Sequence, residues 1–253
     1  MLQLPLGQLL LVIIQTAILL TLIVRIWTAG LYVLYPYFFS YLVADLLQTL
    51  IGAAIPINGL AYPRFWVASE GVIDCCYALI VFELYRVVFR DLPGIASISR
   101  RYITVTVVIA ILGALFLPRL AETPANYLSV FFVIECAIVF SLVIFILLVS
   151  AFLVYYPVPL HRNVVIYSIG YAVYFLTKAA ALFIRTLGYY VAPQISTAIL
   201  VVSSACLFFW TLGLNRRGEV RTVVIGHKWN REDEARLLSK LKAINANLVA
   251  VGK

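Results

Sequence analysis

The chain has 253 residues, of which 64% are hydrophobic and only 12% charged, with a formal net charge of +8. Soluble domains carry about 25% charged residues, so this composition excludes an ordinary water-soluble fold and makes a lipid bilayer, not nucleic acid, the expected partner of the basic side chains. The apolar residues come in blocks of about 20 divided by short polar stretches, the pattern of spanning helices; the ten-residue alternation of a membrane barrel is absent.

In chain order, a first span is predicted from Leu6 to Trp27. With no basic segment before it and no small-residue cleavage site after it, it reads as a retained helix rather than a signal peptide. Pro36 announces a second span, Tyr37 to Ile55, which Pro56 stops. The third, Phe65 to Arg90, reads FWVASEGVIDCCYALIVFELYRVVFR and carries Glu70, Asp74, Glu83 and Arg86. A basic loop, Arg90 to Arg101, leads to a short fourth span, Tyr102 to Leu117, and a long fifth, Tyr127 to Tyr155. At 1.5 Å per residue the fifth is about 43 Å long and must tilt or protrude. Two prolines in YPVPLHRN forbid helix before span six, Val164 to Leu187, and span seven, Ile195 to Leu214.

The expected fold is therefore an all-α bundle of seven transmembrane helices. Basic residues gather in cytoplasmic loops. An outside N-terminus places fifteen Lys and Arg inside against Arg64, Arg119 and Arg185 outside, so the C-terminus is expected in the cytoplasm. Residues 1–214 then form the membrane domain and 215–253 a cytoplasmic tail. In that tail Val220 to Ile225 is β-rich, and Asn230 caps an amphipathic helix over about 231–246 with Leu237, Leu238, Leu241 and Ile244 on one face. Such a helix suits the inner leaflet, with Lys240 and Lys242 toward anionic lipid, or docking of a cytoplasmic protein.

Ionisable groups at membrane depth cost roughly 2.5 to 3.5 kcal/mol each on insertion scales and persist where they face a protein interior or wet cavity. Glu70, Asp74 and Tyr77 share one face of span three. Asp45 and Gln48 lie on a stripe of span two, Glu135 on span five, and Tyr167, Tyr171, Tyr174 and Lys178 on a stripe of span six. By helical rise Asp74, Glu135 and Lys178 lie roughly 10 to 14 Å below the outer edge and Asp45 roughly 18 Å, so they can share a layer. Four acids cannot all be ionised beside one lysine in a low dielectric. Lys178 is expected to pair with one of them while at least one other carries a proton. These residues, Asp45, Gln48, Glu70, Asp74, Tyr77, Glu135, Tyr171, Tyr174 and Lys178, are the candidate ligand or ion pathway. Glu83 and Arg86 are expected to form a boundary pair at the cytoplasmic end.

The chemistry this excludes is extensive. Cys75, Cys76, Cys136 and Cys206 all lie in apolar segments, no CxxC occurs, and His161 and His227 fall outside the spans. No metal centre of the zinc, di-iron or haem type is expected, and no cofactor or enzymatic activity. Span seven has no lysine for a retinal Schiff base, neither VADLL nor VIDCC matches the GxGD of intramembrane aspartyl proteases, and a Ser-His site lacks its histidine. An offset of 130 residues aligns Tyr37, Tyr41 and Gln48 with Tyr167, Tyr171 and Lys178, as a parallel repeat would.

The segments FFSYLVADLLQ, FELYRVVFRDLPGI and WNREDEARLLSKLKAIN resemble uncharacterised bacterial seven-helix membrane proteins of acidobacterial type. The resemblance implies the cytoplasmic (inner) membrane and carries no activity. The expected function is binding or transport of a small solute or protons through a polar intramembrane cavity. A sensor signalling through the tail to a cytoplasmic partner, or a structural subunit of a membrane assembly, are the alternatives.

Overall fold

The computed structural model describes residues 6–56, 61–90, 92, 108, 127–156, 159–186, 192–220, 222–224 and 231–251. The architecture is all-α. Helices α1 (Leu6–Thr28), α2 (Pro36–Ala54), α3 (Ala61–Val88), α4 (Tyr127–Tyr155), α5 (Arg162–Thr186) and α6 (Ala192–Gly213) are followed by α7 (Arg231–Val251). Six of these seven, α1 to α6, are long and apolar enough to cross a membrane, which marks a multi-pass membrane protein. The expected fourth span, Tyr102 to Leu117, lies outside the described residues except for Val108, as does most of the Arg90 to Arg101 loop.

The helix boundaries follow local chemistry. Pro36 sits at the start of α2, where its missing N–H costs nothing. Pro63 falls within the first turn of α3, so that helix begins four residues before the predicted Phe65 rather than after the proline. Between α1 and α2 the chain turns at Gly30, whose φ of 70° is open to glycine at little cost.

The helices gather their ends in two groups. At one end Arg25 of α1 donates to the Leu214 carbonyl just beyond α6 (3.1 Å), and Asn163 of α5 donates to the Asn215 carbonyl (2.8 Å). The start of α2 and the last turns of α3 meet there too. Arg86, Arg90, Arg162, Arg216 and Arg217 lie on the same side, making it the basic end. Trp66 of α3 packs on Phe131 and Phe132 of α4 at the opposite end, and Phe89 packs on Phe152 at the basic end, so α3 and α4 run in the same direction.

Aromatic rings fill the core between α2, α5 and α6. Phe38, Tyr167, Tyr171 and Trp210 are each at most 1% exposed and meet with centroids 4.6 to 5.8 Å apart. The indole of Trp210 lies so close to Gly170 that a Cβ there would overlap the ring, which is how α5 and α6 approach each other. Outward-facing Ile144, Leu147 and Leu148 of α4 are more than half exposed, the surface expected against lipid chains.

The tail is anchored to this end. Strands β1 (Pro159–His161) and β2 (Thr222–Val224) pair antiparallel, with Leu160 opposite Val223. The β-rich run predicted at Val220 to Ile225 thus finds its partner in the loop before α5. Helix α7 extends five residues past its predicted end, with Leu241 buried and Ile244 exposed.

Candidate functional site

Helical spacing puts Glu70 and Asp74 one turn apart on α3, and both face α5 and α4. The ammonium of Lys178 lies 2.6 Å from Glu70 Oε1, 2.9 Å from Glu135 Oε1 and 3.6 Å from Asp74 Oδ1. Lys178 therefore meets three carboxylates rather than the one expected, because its long flexible stem ends where α3, α4 and α5 converge. Asp74, Glu135 and Lys178 are 5%, 2% and 7% exposed, so the expected polar layer takes the form of an occluded, closely packed cluster. The lysine also stands 4.6 Å from the centre of the Tyr77 ring, a cation–π contact. Tyr77 shares a hydroxyl hydrogen bond of 2.6 Å with Tyr174.

Gln48 of α2 completes one side by donating to Glu70 Oε2 (3.0 Å) and Ser69 Oγ (3.1 Å). Glu70 is thus held from both flanks. Asp74 Oδ1 and Glu135 Oε2, in contrast, are buried without a hydrogen-bond partner among the described residues. The acidic oxygens of Glu70, Asp74 and Glu135 fall within 4.8 Å of one another, a spacing that suits a cation bound by oxygen ligands. In this structure Lys178 supplies the cation.

Two expected members sit apart. Asp45 is half-buried on α2, near enough to feel the charges of Glu70 and Lys178 but outside ion-pair distance of the lysine. Tyr171 belongs to the aromatic core against Trp210. Its hydroxyl has no hydrogen-bond partner among the described residues, and only ring contacts through Tyr41 and Phe175 lead from it to Tyr77.

The pair expected at the cytoplasmic end does not form as an ion pair. Glu83 is buried, accepting from the Tyr37 backbone N–H (2.7 Å) and the Tyr167 hydroxyl (3.1 Å), while Arg86, three residues on, is exposed with no carboxylate within 4.0 Å among the described residues. The reason is competition: the free N–H groups at the start of α2 carry a partial positive charge and hold the carboxylate inside. Glu83 thereby caps α2 from a neighbouring helix.

Of the residues aligned by the 130-residue offset, Gln48 and Lys178 both donate side-chain groups to Glu70, whereas at Glu83 Tyr37 donates its backbone N–H and Tyr167 its hydroxyl. Helices α2 and α5 thus flank α3 and present donors to its two glutamates at matched heights.

Sequence reasoning missed a second cluster at the tail base. Glu219 Oε1 accepts from Tyr35 (2.8 Å) and Asn163 (2.5 Å), and Asn215 caps the following turn by accepting from Gly218 N–H (2.7 Å). Burial, reinforced by the Glu219 charge, pushes the Tyr35 phenol well above its ordinary range, which keeps it a donor. The only signal was polar residues at both edges of a loop, since the partners are 56 and 184 residues apart. Comparison with protein-family models, curated proteins and solved structures finds no match.

Proposed function

We propose that this chain is a non-enzymatic protein of the cytoplasmic membrane that binds or transports protons or a small cationic solute at Glu70, Asp74, Glu135 and Lys178. One observation carries the reading. Three carboxylates, those of Asp74 and Glu135 buried and that of Glu70 partly buried, share a single ammonium, so full ionisation would leave two uncompensated negative charges among apolar helices. An excess charge of that kind is too costly to bury, and protons or an incoming cation relieve it. Asp74 Oδ1 and Glu135 Oε2, which have no hydrogen-bond partner among the described residues, are the natural acceptors.

Seven crossings with the N-terminus outside fit this reading. The parallel run of α3 and α4 supports a further crossing between them, where the Tyr102 to Leu117 span is expected. The arginine-rich end would then face the cytoplasm.

Proteoliposomes holding a pH-sensitive dye, challenged with proton or sodium gradients, test the proposal. Asp74→Asn and Lys178→Met should lose most of the flux seen for the parent chain. Variants that move protons and sodium as fast as the parent would sink it.

A sensor reading is favoured by one connection. Helix α5 carries Lys178 in the cluster and Asn163 at the tail base, so a shift of α5 on loading would reach the tail. Deleting Asn230 to Lys253 should leave flux intact if the tail only reports, and abolish any response of a cytoplasmic partner.

A further inference from the structure

At the basic end a cavity of about 680 Å³ opens between the α1–α2 turn, the last turns of α3, β1 and the start of α5. Its walls are of two kinds. Leu79, Phe82, Leu160 and Val164 provide an apolar side, and Arg86 and Arg90 provide a cationic one. Two acids also line it, but both are engaged by uncharged donors: Glu83 by Tyr37 and Tyr167, and Glu219 by Tyr35 and Asn163. The two arginines, four residues apart and both exposed, have no carboxylate within 4.0 Å among the described residues. A cavity that pins its own acids with neutral groups while leaving two guanidinium groups without an ion pair among the described residues is built for an outside anion.

We infer that this cavity binds the phosphate of an anionic amphiphile, with Arg86 and Arg90 on the phosphate and the Leu79–Phe82 wall along the first carbons of the chain. Guanidinium groups match phosphate oxygens with paired donors, and basic pockets between spanning helices suit acidic headgroups. The same phosphate chemistry could come from a bilayer lipid or from a soluble phosphate compound, and the apolar wall favours the lipid. The inference is independent of the Lys178 cluster: Arg86 lies twelve residues past Asp74 on α3, about three helical turns away.

The test uses the full chain in neutral detergent, titrated with phosphatidylglycerol, phosphatidylcholine, glycerol 3-phosphate or inorganic phosphate. Adducts are read by native mass spectrometry and stability by thermal unfolding. Phosphatidylglycerol should bind roughly tenfold or more tighter than phosphatidylcholine, and Arg86→Gln with Arg90→Gln should remove that preference. Leu79→Trp, which fills the apolar side and keeps both arginines, should weaken lipid binding yet spare inorganic phosphate. Glycerol 3-phosphate binding as tightly as phosphatidylglycerol, with Leu79→Trp having no effect, would establish phosphate recognition and assign the source to a soluble compound. Equal binding of the two lipids by the parent chain, with no binding of either phosphate, would overturn the inference. So would a folded double arginine variant that keeps the parent's preference.

Discussion

The two ends of α3 solve the same problem with different chemistry. At each, a glutamate takes donors from α2 on one side and α5 on the other. Glu83 meets a backbone N–H and a phenol, both neutral. Glu70 meets an amide and an ammonium, and shares the latter with Asp74 and Glu135. The first arrangement is complete in itself, whereas the second has more acid than base and two oxygens without hydrogen-bond partners among the described residues. A buried carboxylate is therefore no sign of function by itself. The sign is an imbalance that something from outside must correct.

The largest effect that would sharpen the contrast is expected at Lys178. Lys178→Met strands three acids and should destabilise the fold by about 3 to 5 kcal/mol, read as thermal or denaturant unfolding in detergent. Adding Glu70→Gln should restore part of the loss, since it removes one of the stranded charges. A Lys178→Met chain as stable as the parent would erase the distinction between the two ends.

Glu83→Ala comes next. Removing the acceptor leaves the Tyr37 N–H and Tyr167 hydroxyl unpaired and should cost about 1 to 3 kcal/mol, with no loss of flux per folded molecule. A flux defect in that variant would make the basic end part of the pathway.

Gly170→Ala should cost a similar 1 to 3 kcal/mol by forcing Trp210 out of its place between α5 and α6. Because the strain lies in the aromatic core, the charged cluster should keep its proton or cation selectivity while the unfolding midpoint falls.

Smallest is Tyr77→Phe. It deletes the hydrogen bond to Tyr174, about 0.5 to 1.5 kcal/mol, but keeps the ring beside Lys178. Flux should change little. A loss as large as that of Asp74→Asn would place the Tyr77 hydroxyl among the groups that handle the proton or cation.

Much of the site was legible in the sequence for a simple reason. Glu70, Asp74, Glu135 and Lys178 stand out because each is an expensive exception in an apolar helix, and helical rise alone places the last three at similar depth. Tyr171 obeyed the same periodicity and went elsewhere, since a stripe of tyrosines at helical spacing packs equally well on Trp210. Arg86 misled by proximity in sequence: Glu83 is three residues away, but the end of α2 competes for it. The Glu219 cluster was invisible because its partners come from separate parts of the chain.

By itself, the sequence determined that this chain forms apolar helices of membrane length, where they begin and end to within a few residues, and which side chains are too costly to face lipid. Those are properties of local composition and of the energy of transfer into hydrocarbon. Only the tertiary structure decided which acids share Lys178, that Glu83 turns inward to cap α2, and that Arg86 and Arg90 are left facing a cavity. Each of those outcomes depends on which helix lies beside which, and neighbouring helices compete for the same charged groups.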